Sequence, residues 1–126
     1  MPELLPMQDL TVVSLAVNVP GPVAAARLRG LGARVVKVEP PSGDPLEAYA
    51  LMWYLSLAEG QEVVRMDLKD AAQRVKLDTL LADADLLLTS SRPAALERLG
   101  LGPEALRERF PRLCQVSIVG YPGARR

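Results

Sequence analysis

The sequence predicts an α/β protein built on a doubly wound parallel sheet, Rossmann-like, with about five strands in a single domain over residues 1–126. Three observations predict it. Short apolar, β-branched runs recur at residues 10–15, 33–38, 62–68, 84–88 and 113–119. Helix-length segments separate them, and strands alternating with helices imply parallel pairing with right-handed crossovers. Finally, residues 33–38 are apolar and β-branched enough to be a strand covered on both faces.

Taken in order, the first strand at 10–15 is broken by Pro20-Gly21-Pro22, which opens a helix. Ala24, Leu28 and Leu31 then recur at i, i+4 and i+7 along one stripe of that helix, and Gly30 and Gly32 are its stop signals. After the second strand, residues 45–58 read as one helix carrying Tyr49, Met52, Trp53 and Tyr54. Aromatic residues in a short chain are mostly core, and this cluster is expected there. A third strand follows at 62–68. Residues 69–82 form a helix with Leu77, Leu80, Leu81 and Ala84 at core spacing.

The fourth strand, 84–88, is flanked by Asp83 and Asp85, read as a cap and a turn residue. Two short helices follow at 94–99 and 103–110, the second with Pro103 in its first turn. Arg107, Glu108 and Arg109 read as a solvated face. The fifth strand, 113–119, contains Cys114, expected to be a buried thiol acting as a small hydrophobe. Arg125 and Arg126 carry no assigned role.

Composition narrows the function classes. Lysine plus arginine equals aspartate plus glutamate at 15 each, so charge supplies no case for nucleic acid or an anionic membrane surface. No apolar run approaches the ~20 residues needed to span a bilayer, and the first ten residues lack the pattern of a signal peptide. A cytoplasmic protein is expected. One cysteine excludes an internal disulfide, and the absence of histidine removes the commonest general base and metal ligand. Neither a catalytic residue nor a metal ligand set is assigned.

A sheet of this kind binds ligands beyond the carboxyl ends of its strands. The candidate loops are residues 16–22, 39–44, 89–93 and 120 onward. A dinucleotide site is argued against: Asn18-Val19-Pro20-Gly21-Pro22 has one glycine where G-x-G-x-x-G is needed, and Gly30-Leu31-Gly32 comes after the helix as a cap. Glu39 does stand where a ribose-binding acid would, but without the phosphate loop it decides nothing. Walker, zinc and nucleophile-elbow motifs are also missing.

The chain resembles the N-terminal portion of the family III CoA-transferases, the group of formyl-CoA transferase, carnitine CoA-transferases and alpha-methylacyl-CoA racemase. The resemblance rests on Gly21-Pro22, Gly32-Ala33 leading to Lys37-Val38-Glu39-Pro40, Gly43-Asp44-Pro45, Asp67-Leu68-Lys69, Ala84-Asp85 and Arg92-Pro93. Residues 96–102 (LERLGLG), Pro111-Arg112-Leu113 and Ser117-Ile118-Val119-Gly120 extend it. No one of these is specific; their order and spacing are. The resemblance implies transfer of CoA between carboxylic acids through an aspartyl thioester, with the aspartate beyond this region. It places CoA contacts on Val17, Asn18, Pro40, Gln61, Ser90, Ser91, Arg98 and Leu99.

Several of these depart from the family pattern. Where an asparagine, basic residues and a glycine usually precede the third strand, this chain has Ala58-Glu59-Gly60-Gln61-Glu62. A charge-assisted hydrogen bond contributes about 1.5–3 kcal/mol, so affinity is expected to fall roughly a hundredfold from this segment alone. Thr89-Ser90-Ser91 replaces Glu-Asn-Phe, Val17 and Val19 replace polar residues, and Leu46-Glu47 stands where an arginine is usual. Coenzyme A is therefore expected as at most a weak ligand, with no covalent cofactor. Three readings follow: a truncated, sheet-incomplete relative without catalysis of its own; one half of a split transferase or racemase completed by another chain; and an oligomeric interaction module with no CoA site. All three predict a homo-oligomer or a complementary chain, with no nucleic acid and no membrane.

Overall fold

The computed structural model describes residues 5–118. The chain alternates as predicted: β1 (Thr11–Ser14), α1 (Pro20–Gly30), β2 (Arg34–Glu39), α2 (Pro45–Tyr49), α3 (Leu51–Ala58), β3 (Glu62–Arg65), α4 (Ala71–Asp83), β4 (Leu86–Thr89), α5 (Pro93–Arg98), α6 (Pro103–Arg109) and β5 (Cys114–Ser117). The five strands form one sheet in the order β3-β2-β1-β4-β5, and every pairing is parallel.

Residue alternation along the strands sorts the core into two layers. Val13, Val36, Val38 and Leu87 face α4, α5 and α6, where Leu77, Leu81, Leu96 and Leu106 meet them. Val12, Val35 and Leu88 face the opposite side and pack on Ala25, with Ala24 and Leu28 beside it, all from α1. α3 lies against α1. Helices on both faces make the sheet doubly wound. The direction of strand order reverses between β1 and β4, the place where such folds open a crevice.

Three expectations change. Residues 45–58 form two helices, because Ala50 adopts a non-helical backbone (φ −149°, ψ 62°) that turns the chain between α2 and α3. The aromatic cluster therefore divides: Tyr54 is buried, while Tyr49 is 65 % exposed, Met52 79 % and Trp53 48 %. Cys114 is exposed rather than buried. It shares a face with Leu86, its partner in register, and on that side α1 packs chiefly on β1, β2 and β4.

Other readings hold. Asp85 accepts a hydrogen bond from the Thr11 amide (2.8 Å), whereas Asp83, expected as a cap, is the last residue of α4 and Ala84 is its C-cap. Arg107, Glu108 and Arg109 are exposed, with Arg109 reaching Asp78 at 2.9 Å. No helix among the described residues is long and apolar enough to cross a membrane. The expected loop at residue 120 onward, the end of the fifth strand at Val119, and Arg125 with Arg126 lie outside the described residues.

Candidate functional site

A cleft of about 470 Å³ opens at the carboxyl ends of the strands, on the α4–α6 side of the sheet. Leu15 and Val17 come to it from the turn after β1, Pro40 and Pro41 from the turn after β2, and Ser91 from the turn after β4. Leu96 and Leu99 of the α5 region close one wall. A fourth segment is Met66-Asp67-Leu68-Lys69, where the sequence predicts the end of the third strand at 68 and the start of a helix at 69. It is a turn instead, because the Asp67 carboxylate accepts a hydrogen bond from the Lys69 amide (3.0 Å) and the Asp67 carbonyl another from Asp70 (3.0 Å). The walls are mainly apolar, and Lys69 is the one cationic residue among those that line them.

Of the eight residues the resemblance singles out, Val17, Pro40, Ser91 and Leu99 line this cleft. The other four do not. The Ser90 hydroxyl accepts a hydrogen bond from the Val17 amide at 3.1 Å, so it holds the wall from behind. Asn18 sits in the left-handed region (φ 72°), with its amide on Asp44 and its side-chain carbonyl taking the Tyr49 hydroxyl. Arg98 is exposed at the end of α5. Gln61 precedes β3, at the amino end of that strand and so away from the cleft, where its amide donates to the Leu57 carbonyl (2.9 Å).

Behind the cleft, on the α1–α3 side of the sheet, lies a buried polar cluster. Lys37 and Glu39 alternate with Val36 and Val38 along β2, which turns both charged side chains to that face. The Lys37 ammonium meets Asp44 at 2.6 Å and Glu39 at 4.0 Å, and lies 5.4 Å from the centre of the Tyr54 ring. Tyr54 donates its hydroxyl proton to Glu39 Oε2 (2.6 Å), while Glu39 Oε1 has no hydrogen-bond partner and Arg65 Nε stands 3.6 Å away. Asp44 Oδ1 accepts from the Asn18 amide (2.8 Å) and, as the N-cap of α2, from the Leu46 amide (2.9 Å).

Burial alone would push the Asp44 carboxyl up. The hydrogen bonds from Lys37, Asn18 and Leu46, with the charge of Lys37, outweigh burial and hold it below its usual value. Tyr54 moves the other way: burial first, then its bond to the Glu39 carboxylate, raises the phenol well above its ordinary value. Gly43 (φ 83°) supplies the turn that brings Asp44 over Lys37, and a Cβ there would meet the Arg65 guanidinium at 3.0 Å.

Sequence reasoning missed this cluster and the wall from 66 to 69. One signal for the cluster was available: a lysine between valines in a strand buried on both faces must have a carboxylate partner, and the following loop holds one.

Comparison with known proteins gives a consistent result. Residues 7–126 match the family model described as CoA-transferase family III. The probable fatty acyl-CoA transferase Rv3272 of Mycobacterium tuberculosis is 34 % identical over 94 % of this chain and 32 % of its own length. A crystal structure of that protein superposes with a TM-score of 0.88 at 34 % identity, covering 94 % of this chain and 35 % of the other. The subunit BbsE of succinyl-CoA:(R)-benzylsuccinate CoA-transferase from Thauera aromatica is 38 % identical over 80 % of this chain and 27 % of its own. The chain thus spans about a third of the length of the curated relatives it matches.

Proposed function

Because this chain belongs to CoA-transferase family III, we propose that its cleft takes the coenzyme A part of an acyl-CoA and that the described residues bind the thioester carrier without transferring it. The observation that carries the reading is the cleft itself. Its apolar walls of Leu15, Val17, Met66 and Leu99 suit a pantetheine chain or a base, and Lys69 offers an exposed cation to a phosphate. Such a contact compensates in part for the basic residues missing before β3.

Acyl transfer by the family's chemistry needs a free carboxylate nucleophile. The acidic residues bordering the cleft are Glu39 and Asp67. Glu39 points to the far face of the sheet and is bonded to Tyr54, and Asp67 is engaged in its own turn. Transfer therefore calls for a carboxylate from outside the described residues, supplied by further chain or by a partner.

Calorimetric titration with coenzyme A at low ionic strength, where phosphate contacts are least screened, tests the reading. Binding is expected, weakened roughly tenfold or more in Lys69→Gln, the size of one lost charge-assisted contact. Neither heat nor thermal stabilisation at millimolar coenzyme A overturns it.

A second reading, association with another copy or a complementary chain, is favoured by the apolar surface of α3. Leu51, Met52, Trp53 and Leu55 are exposed on it. The name of BbsE describes that relative as a subunit.

A further inference from the structure

We propose that Asp44, held by Lys37, is a positioning residue that sets the cleft wall at Val17 through the backbone of Asn18, without touching ligand; this rests on the reading that the cleft binds coenzyme A. The turn after β1 has no secondary structure of its own, and it is fastened from two sides. Val17 donates its amide to Ser90 from the turn after β4 (3.1 Å), and Asn18 donates its amide to Asp44 from the turn after β2 (2.8 Å). Asn18 holds a left-handed backbone (φ 72°), a region that most L-residues avoid and asparagine tolerates. The Tyr49 hydroxyl bonds its side chain from α2.

Helix capping alone does not account for Asp44. An N-cap needs one side-chain oxygen at an exposed helix end, and a serine would serve. Here the carboxylate is fully buried, and a buried lysine lies 2.6 Å from its other oxygen. Removing two charges from water is costly and is not in itself stabilising. What the pair provides is orientation: Lys37 takes Oδ2, which leaves Oδ1 for the Asn18 and Leu46 amides together. One carboxylate so ties the β1 turn, the β2 strand and α2 into a fixed rim. Because Asp44 and Lys37 lie on the opposite side of the sheet from the cleft lining, their effect on a ligand travels through the backbone of Asn18 to Val17.

Two double variants separate this role from capping. Lys37→Met with Asp44→Asn removes both charges and keeps an oxygen that can accept from both amides. Lys37→Met with Asp44→Ser removes the same charges, keeps a cap for Leu46, and is too short to reach Asn18. The asparagine pair is expected to bind coenzyme A within about threefold of the unmodified chain, and the serine pair roughly tenfold or more weaker, the loss of one hydrogen bond's worth of constraint. Leu106→Ala, in the α6 core and away from this cleft, is the control for lowered stability, and it should leave affinity unchanged.

Amide exchange supplies a readout that needs no ligand. The Asn18 amide should be protected in the unmodified, ligand-free protein and exchange roughly tenfold faster in the serine pair than in the asparagine pair. Equal affinities and equal Asn18 exchange in the two pairs would reduce Asp44 to a helix cap. A rapidly exchanging Asn18 amide in the unmodified protein overturns the proposal even if neither variant folds. Should the unmodified chain fail to bind coenzyme A, the ligand reading falls, while Asn18 exchange still decides whether Asp44 positions the wall.

Discussion

The Asp44 carboxylate stays charged in a buried position because three donors converge on it, and that makes the protein's stability depend on acidity. The folded chain holds this proton less tightly than an unfolded one, for which the ordinary value is 3.8. Its contribution is therefore complete above that value and is lost as pH falls through the depressed folded value. Asp78 behaves alike: burial pushes it up, but hydrogen bonds and charge from Arg109 and Arg74 hold it down. Unfolding free energy is expected to decline on acidification below about pH 4. In Asp44→Asn that acid-limb slope should be shallower, although the variant starts about 3–5 kcal/mol less stable because Lys37 is left buried without its partner. Urea denaturation of both proteins across the acid range checks the direction. An unchanged slope would mean that Asp44 does not titrate differently in the folded state.

Among the elements, α3 is the one whose sequence and surroundings disagree. A helix apolar around most of its circumference is ordinarily enclosed, yet here Tyr54 turns inward while Leu51, Met52, Trp53 and Leu55 stay exposed. On the second reading proposed above, this apolar surface is where another copy or a complementary chain docks. Sedimentation equilibrium should find self-association or capture of a complementary chain, and the double change Met52→Lys with Trp53→Glu should abolish it while leaving the fold intact. A wild-type chain that stays monomeric at high concentration and binds no complement would remove the second reading. The elements also show how far sequence can be read. The central strands were legible because strands buried on both faces are rich in β-branched apolar residues. The break at Ala50 was not, since alanine carries no turn signal and the bend serves contacts of Tyr49 and Tyr54 with residues far back in the chain. The exposure of Cys114 was equally hidden, because coverage of β5 depends on how far a helix from elsewhere extends. At the cleft, the turns after β1, β2 and β4 could be named in advance. The turn at Asp67 could not, because Val64 to Leu68 alternates like a strand until the Asx turn closes it.

At the scale of the molecule, the layer between the sheet and α4–α6 holds a core in which Leu77, Leu81, Leu87, Leu101 and Leu106 are almost completely enclosed. Trimming Leu81 to alanine is expected to cost about 2–5 kcal/mol, a large share of a small domain's stability. Thermal and urea unfolding should both report it as one cooperative shift; separate transitions would show that the layers melt independently. The strand order carries a further consequence, in time rather than in space. β1 lies at the centre of the sheet, yet its two neighbours are β2 and β4, so Val13 pairs with Val36 early in the chain and with Leu87 only late. While the chain is being synthesised, its future centre is an open edge until residues 86–89 leave the ribosome. A chaperone that shields nascent edges would find its site on the strand that is best hidden in the finished protein.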